Sequence, residues 1–132
     1  MRKFNSEAAF VYAMSDGLSP QGAMLKSLCD RAAGAAASSI REMVGRHVAA
    51  EMVRMGADGT PTKSIDRAAE DAVLDELRAS GLGFKVLSEE AGEALIGEGQ
   101  DYFLHLDPLD GTFNAIAGIP FYSVCKLWEN EQ

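Results

Sequence analysis

The sequence predicts an α+β domain in which two long helices pack on a mainly antiparallel sheet. Three observations carry this expectation. Apolar residues recur at helical spacing from Met24 to Met55, and again from Ile65 to Leu77. Short apolar runs at 84–87, 102–106 and 120–124 have instead the length and composition of strands. With 132 residues, 47% of them hydrophobic, the chain is long enough for one domain with its own core.

Residues 1–18 read as an N-terminal extension with one short helix over Ser6–Ser15, and residues 19–132 as the α+β domain. Ser19-Pro20 suits a helix start, with Ser as N-cap and Pro at the first helical position. The stripe Leu25, Leu28, Ala32, Ala36, Ile40, Met43, His47, Met52 and Met55 then sustains one helix to about Met55, bent at Gly34 and Gly45. Small side chains from Ala32 to Ser39 let another element pack close. His47 lies on the apolar stripe and reads as a core or subunit-contact histidine rather than a ligand. After the turn cluster Gly56–Pro61, a second helix runs to about Ser80 and stops at Gly81. Ile65, Ala69, Ala72, Val73 and Leu77 form its buried stripe. Arg67, Glu70, Asp71, Asp75, Glu76 and Arg78 form a solvated face. The strand from Phe84 ends at Ser88-Glu89-Glu90, and Ala91–Gln100 reads as a loop or short helix. Pro108 ends the pairing of the strand Tyr102–Leu106, because it has no N–H to donate.

Twenty acidic against twelve basic residues give a net charge of −8, which argues against nucleic acid or anionic membrane as the main partner. Cys29 and Cys125 lie far apart without metal-type spacing and read as reduced thiols, buried as small hydrophobes. Met1-Arg2-Lys3-Phe4 mimics the opening of a signal peptide. Between Glu7 and Asp16, however, the apolar piece Ala8–Met14 is too short for an export core. No segment is long enough to span a bilayer, so the expected location is cytoplasmic.

The chemistry concentrates in Leu104-His105-Leu106-Asp107-Pro108-Leu109-Asp110-Gly111-Thr112. Asp107 and Asp110 sit at a strand end facing one small volume, and a hard cation such as Mg²⁺ relieves their repulsion through oxygen ligands. Gly111 lets backbone approach a ligand closely, and its N–H with that of Thr112 could hold a phosphate. Taken alone, this stretch is equally a turn, Asp66 a favourable anion in a helix's first turn, and Glu89 and Glu90 loop solvation.

Together the pieces resemble a family. Thr62-Lys63-Ser64-Ile65-Asp66, Ser88-Glu89-Glu90-Ala91-Gly92 and Asp107-Pro108-Leu109-Asp110-Gly111-Thr112-Phe113-Asn114 look like inositol monophosphatases. Gly56-Ala57-Asp58-Gly59-Thr60-Pro61-Thr62-Lys63 is similar to the archaeal inositol-monophosphatase/fructose-1,6-bisphosphatase branch, and the likeness covers about residues 22–124. The resemblance implies the N-terminal half of the inositol monophosphatase-like sugar phosphatase fold, without the C-terminal α/β domain. It implies Mg²⁺-dependent hydrolysis of inositol monophosphate and/or fructose 1,6-bisphosphate, with two or three Mg²⁺ per site, in a homodimer. Glu89, Asp107 and the Leu109 carbonyl would bind the first metal, and Asp107 with Asp110 the second. Asp66 and Thr112 would orient the attacking water, the N–H groups of Gly111 and Thr112 would hold phosphate, and Asn114 would support the loop. A haloacid-dehalogenase-type phosphatase would place its aspartates two apart; here they are three apart with a proline between. A catalytically incomplete dimerisation or regulatory module is the remaining alternative.

Overall fold

The computed structural model describes residues 2–6, 9–13, 20–57, 59, 61–120 and 122–129, and for 2–6, 9–13 and 123–129 the backbone only. Strands β1 (Arg2–Ser6) and β2 (Ala9–Ala13) form an antiparallel hairpin, followed by helix α1 (Pro20–Ile40) and a 3₁₀ turn at His47–Ala50. A small antiparallel pair, β3 (Met52–Met55) and β4 (Pro61–Lys63), leads into α2 (Ser64–Ala79). Then come β5 (Phe84–Ser88), β6 (Gly92–Ile96), β7 (Tyr102–Asp110), the short helix α3 (Thr112–Ala117) and β8 (Ser123–Glu129). The main sheet has the order β6-β5-β7-β8; β5 and β7 run parallel and the other two pairings are antiparallel. This is the expected α+β architecture, with two long helices on a mainly antiparallel sheet.

The periodicity of α2 explains its packing. Ile65, Ala69, Val73 and Leu77 are fully buried and share a core with Leu28, Ala32, Ala36 and Ile40 of α1. The alanines of α1 let the helices approach closely enough for Ser39 Oγ to donate to the Ala68 carbonyl at 3.1 Å. Phe84 and Val86 of β5, with Tyr102, Leu104 and Leu106 of β7, complete the core by strand alternation. Each large apolar side chain buried this way contributes about 1.5–3 kcal/mol. The connection from β6 to β7 crosses the start of β5. Gly83 must be glycine there: a Cβ would lie 2.4 Å from the Glu98 carbonyl oxygen.

The structure corrects five expectations. The helix expected over Ser6–Ser15 is replaced by the β1–β2 hairpin at Arg2–Ser6 and Ala9–Ala13. The first helix stops at Ile40 rather than Met55, because Gly45 takes a left-handed φ of 72° and its Cα region packs against Gly118. Beyond that break the helical face dissolves, so His47 is exposed, not core, and Met52 and Met55 are 64% and 62% exposed. Ala91–Gln100 contains strand β6, bounded by positive-φ glycines at 92 and 97, rather than a loop or helix.

The fifth correction concerns Pro108, which does not end its strand. The Leu106 carbonyl accepts from Glu89 N at 3.3 Å, so backbone groups of residues 106 and 108 turn towards the β5 side. β5 pairs with β7 only as far as Leu106, and the missing N–H of Pro108 therefore falls beyond the end of that pairing. Pairing with β8 continues unshifted from Leu104↔Glu129 to Asp110↔Ser123. The expected helix cap Ser19 lies outside the described residues, and so does Phe121 of the expected strand at 120–124, which begins at Ser123.

Candidate active site

The site is assembled where α2 begins and where β5 and β7 end. Asp66 occupies the first turn of α2 and is 4% exposed. One carboxylate oxygen, Oδ2, accepts from Lys63 N at 3.2 Å, closing the helix start. The other, Oδ1, accepts from Thr112 Oγ1 at 2.8 Å, across 46 residues of sequence. Gly111 makes this meeting possible. Its φ of 86° turns the chain sharply from β7 into α3, and Thr112 becomes the first helical residue. The first-turn amides of α3 have no acceptor within the helix.

Glu89 and Glu90 form the tight turn between β5 and β6. This turn is held on several sides. Glu90 accepts from Thr62 Oγ1 through its side chain, and from Ala57 N at 3.0 Å through its carbonyl. Ser88 Oγ and Ala91 N, at 3.2 Å, both donate to Glu70 Oε2. Glu70 is 1% exposed, and its Oε1 pairs with Arg54 at 2.9 Å. The assignment of Glu70 to the solvated face is thus corrected. It follows Asp66 by four residues and precedes Val73 by three, so it borders the buried stripe, and that spacing was the available signal. Arg67, Asp71, Asp75 and Arg78 are exposed as expected.

Glu89 is exposed and borders an open cleft of about 310 Å³ together with Ala57, Leu87, Gly92, His105 and Leu106. Asp107 follows His105 on the same face of β7 and is half-buried; Leu109 is buried and Asp110 exposed. Cys29 is half-buried. In kind, these donors fit a hard divalent cation: three carboxylates and one carbonyl, all oxygen. The bond from Glu89 N to the Leu106 carbonyl places Glu89 beside the residue that precedes Asp107. Among the described residues, the acids do not close into a group of three around one point. The structure thus brings Asp66 and Thr112 into direct contact and sets Glu89, just past the end of β5, near Asp107 within the neighbouring strand β7, without a finished cage.

The sequence profile of the Inositol monophosphatase family matches residues 23–125. A fructose-1,6-bisphosphatase/inositol-1-monophosphatase of Archaeoglobus fulgidus is 60% identical over 72 residues, 54% of this chain and 27% of the relative. A bifunctional NADP phosphatase/NAD kinase of Methanocaldococcus jannaschii is 44% identical over 84 residues, 64% of this chain and 14% of the relative. Among solved structures, a Pyrococcus horikoshii protein described as having similarities for inositol-1 monophosphatase superposes with a TM-score of 0.62 at 29% identity. That match covers 80% of this chain and 40% of the other. The chain spans less than half the length of each of these relatives.

Proposed function

The chain belongs to the inositol monophosphatase family, and from that premise we propose that it forms the Mg²⁺- and phosphate-binding part of a phosphomonoesterase. Its proposed substrates are inositol monophosphate and/or fructose 1,6-bisphosphate. The observation that carries the proposal is the hydrogen bond from Thr112 to buried Asp66. A hydroxyl has one proton and two acceptor lone pairs. Because Thr112 spends its proton on Asp66, its lone pairs are left to accept from a water, fixing that water's orientation and offering Asp66 as the final proton acceptor. Lys63 N holds the second Asp66 oxygen and keeps the carboxylate from rotating.

Glu89, Asp107, Asp110 and the Leu109 carbonyl are the residues that would hold Mg²⁺, at two or three ions per site. When bound, the metal supplies charge neutralisation and a more acidic water. The amides of Gly111 and Thr112, aimed by the turn into α3, hold phosphate oxygens. A net charge of −8 supports a small anionic substrate met through a cation rather than nucleic acid or membrane. No described helix is long and apolar enough to cross a membrane. We place the enzyme in the cytoplasm as a homodimer. Exposed Met52, Val53, Met55 and Phe113 support such an interface, and equally a second reading as a dimerisation or regulatory module.

The test is phosphate release from inositol 1-phosphate and fructose 1,6-bisphosphate, with Mg²⁺ and with chelator. Metal-dependent release that disappears in Asp107→Asn, at unchanged circular dichroism, is the expected result. A folded chain that releases no phosphate from either substrate overturns the catalytic reading and favours the module.

A further inference from the structure

Glu70 has no part in the proposed chemistry, yet it is a buried acid with three hydrogen-bond partners. A carboxylate at 1% exposure is costly unless its oxygens are satisfied. Here they are used on three elements: Arg54 of β3, Ser88 at the end of β5, and the Ala91 amide beyond the turn. Ser88 and Ala91 flank Glu89-Glu90 on both sides. Ser88 Oγ also accepts from Glu90 N at 3.2 Å, so the turn is tied internally and to α2 through one side chain. With Glu90 held by Thr62 and Ala57, the residues around Glu89 are anchored, while Glu89 itself is exposed and borders the cleft.

We propose that Glu70 is a positioning residue, holding the β5–β6 turn so that Glu89 is presented to the cation site with little freedom left to lose on binding. The inference rests on the reading of Glu89 as a metal ligand. Its physical basis is general: outer partners that orient a ligand change metal affinity by about 10–100-fold when removed. Arg54 neutralises the buried charge, which lets an acid rather than an amide serve as the double acceptor.

The experiment compares the wild-type chain with Glu70→Met, Glu70→Gln, Ser88→Ala and Val73→Ala. Two readouts are taken: Mg²⁺ titration by calorimetry, and hydrogen exchange of the Ala91 amide without metal. Methionine fills the volume and removes both acceptors, so Mg²⁺ affinity should fall about tenfold and exchange at Ala91 should accelerate. Glutamine keeps one acceptor oxygen for the turn and should recover part of both losses. Ser88→Ala removes one contact at small risk to folding, should weaken Mg²⁺ binding in the same direction, and decides the matter if Glu70→Met does not fold. Val73→Ala opens a cavity in the same helix, lowering the melting temperature but leaving the affinity of the folded protein unchanged. Equal Mg²⁺ affinity in wild type, Glu70→Met and Ser88→Ala overturns the positioning role and leaves the proposed function standing. Absence of Mg²⁺ uptake by the wild type overturns the metal-site reading, and the inference with it.

Discussion

Thr112→Val tests the central contact of the site with almost no change of shape. It removes the hydroxyl that donates to Asp66 Oδ1 at 2.8 Å and leaves that buried oxygen without its donor, while the Lys63 amide still serves Oδ2. A hydrogen bond to a charged acceptor contributes about 1.5–3 kcal/mol. Thr112 is itself only half-buried, so the added methyl changes packing little. The expected loss is about 2 kcal/mol. With a denaturant slope of about 1.5 kcal/mol per molar urea, the midpoint should fall by roughly 1.3 M. Thr112→Ser restores the hydroxyl and should stay within about 0.5 kcal/mol of wild type. Equilibrium urea unfolding followed by circular dichroism measures both. A double-mutant cycle with Asp66→Asn should give a coupling above about 1 kcal/mol. If Thr112→Val unfolds within about 0.3 M of wild type, or the two substitutions simply add, the hydroxyl does not serve Asp66 and the water-orienting argument fails with it.

Two other perturbations probe the frame. Burial pushes the Tyr122 hydroxyl above its ordinary pKa of 10.0, so the fold holds that proton longer than the unfolded chain does. Its stabilising share is present below about pH 10 and disappears as pH rises through the folded pKa; Tyr122→Phe should flatten this alkaline limb in a pH series of melting curves. Among the described residues the hydroxyl has no hydrogen-bond partner, so the phenylalanine variant should be at least as stable at pH 7, and a loss above about 1 kcal/mol would reveal a partner. Gly45→Ala places a Cβ at a φ of 72° and 3.3 Å from Gly118 Cα, and should cost about 1–2 kcal/mol in urea unfolding. An unchanged midpoint would show that this backbone crossing relaxes freely.

Legibility followed the physics of each element. Helix α2 could be read because its apolar stripe, polar face and terminal Gly81 agree with one another. The end of α1 could not: apolar spacing continued through Met43, Val48 and Met52, and a backbone approach between Gly45 and Gly118 that leaves little room for a Cβ has no local trace beyond a glycine. The run through Pro108 depended on which neighbour its nitrogen faces, a property of the sheet rather than of the strand. Asp66, Thr112, Glu89 and Asp107 were singled out as candidates by their motifs. Glu70 was not, because a glutamate among other charges on a helix reads as solvated until β3 and β5 are laid beside it.

The span between Asp66 and Thr112 has a consequence during synthesis. Thr112 leaves the ribosome 46 residues after Asp66, roughly 2–9 seconds later at ordinary elongation rates. In that interval the nascent carboxylate has the Lys63 amide, a partner from its own helical turn, but not yet the Thr112 hydroxyl. Burying the start of α2 before α3 emerges would deny Oδ1 the Thr112 hydroxyl that it accepts from in the finished fold. The N-terminal end of the helix therefore completes its hydrogen bonding only once the last piece of the site has been made.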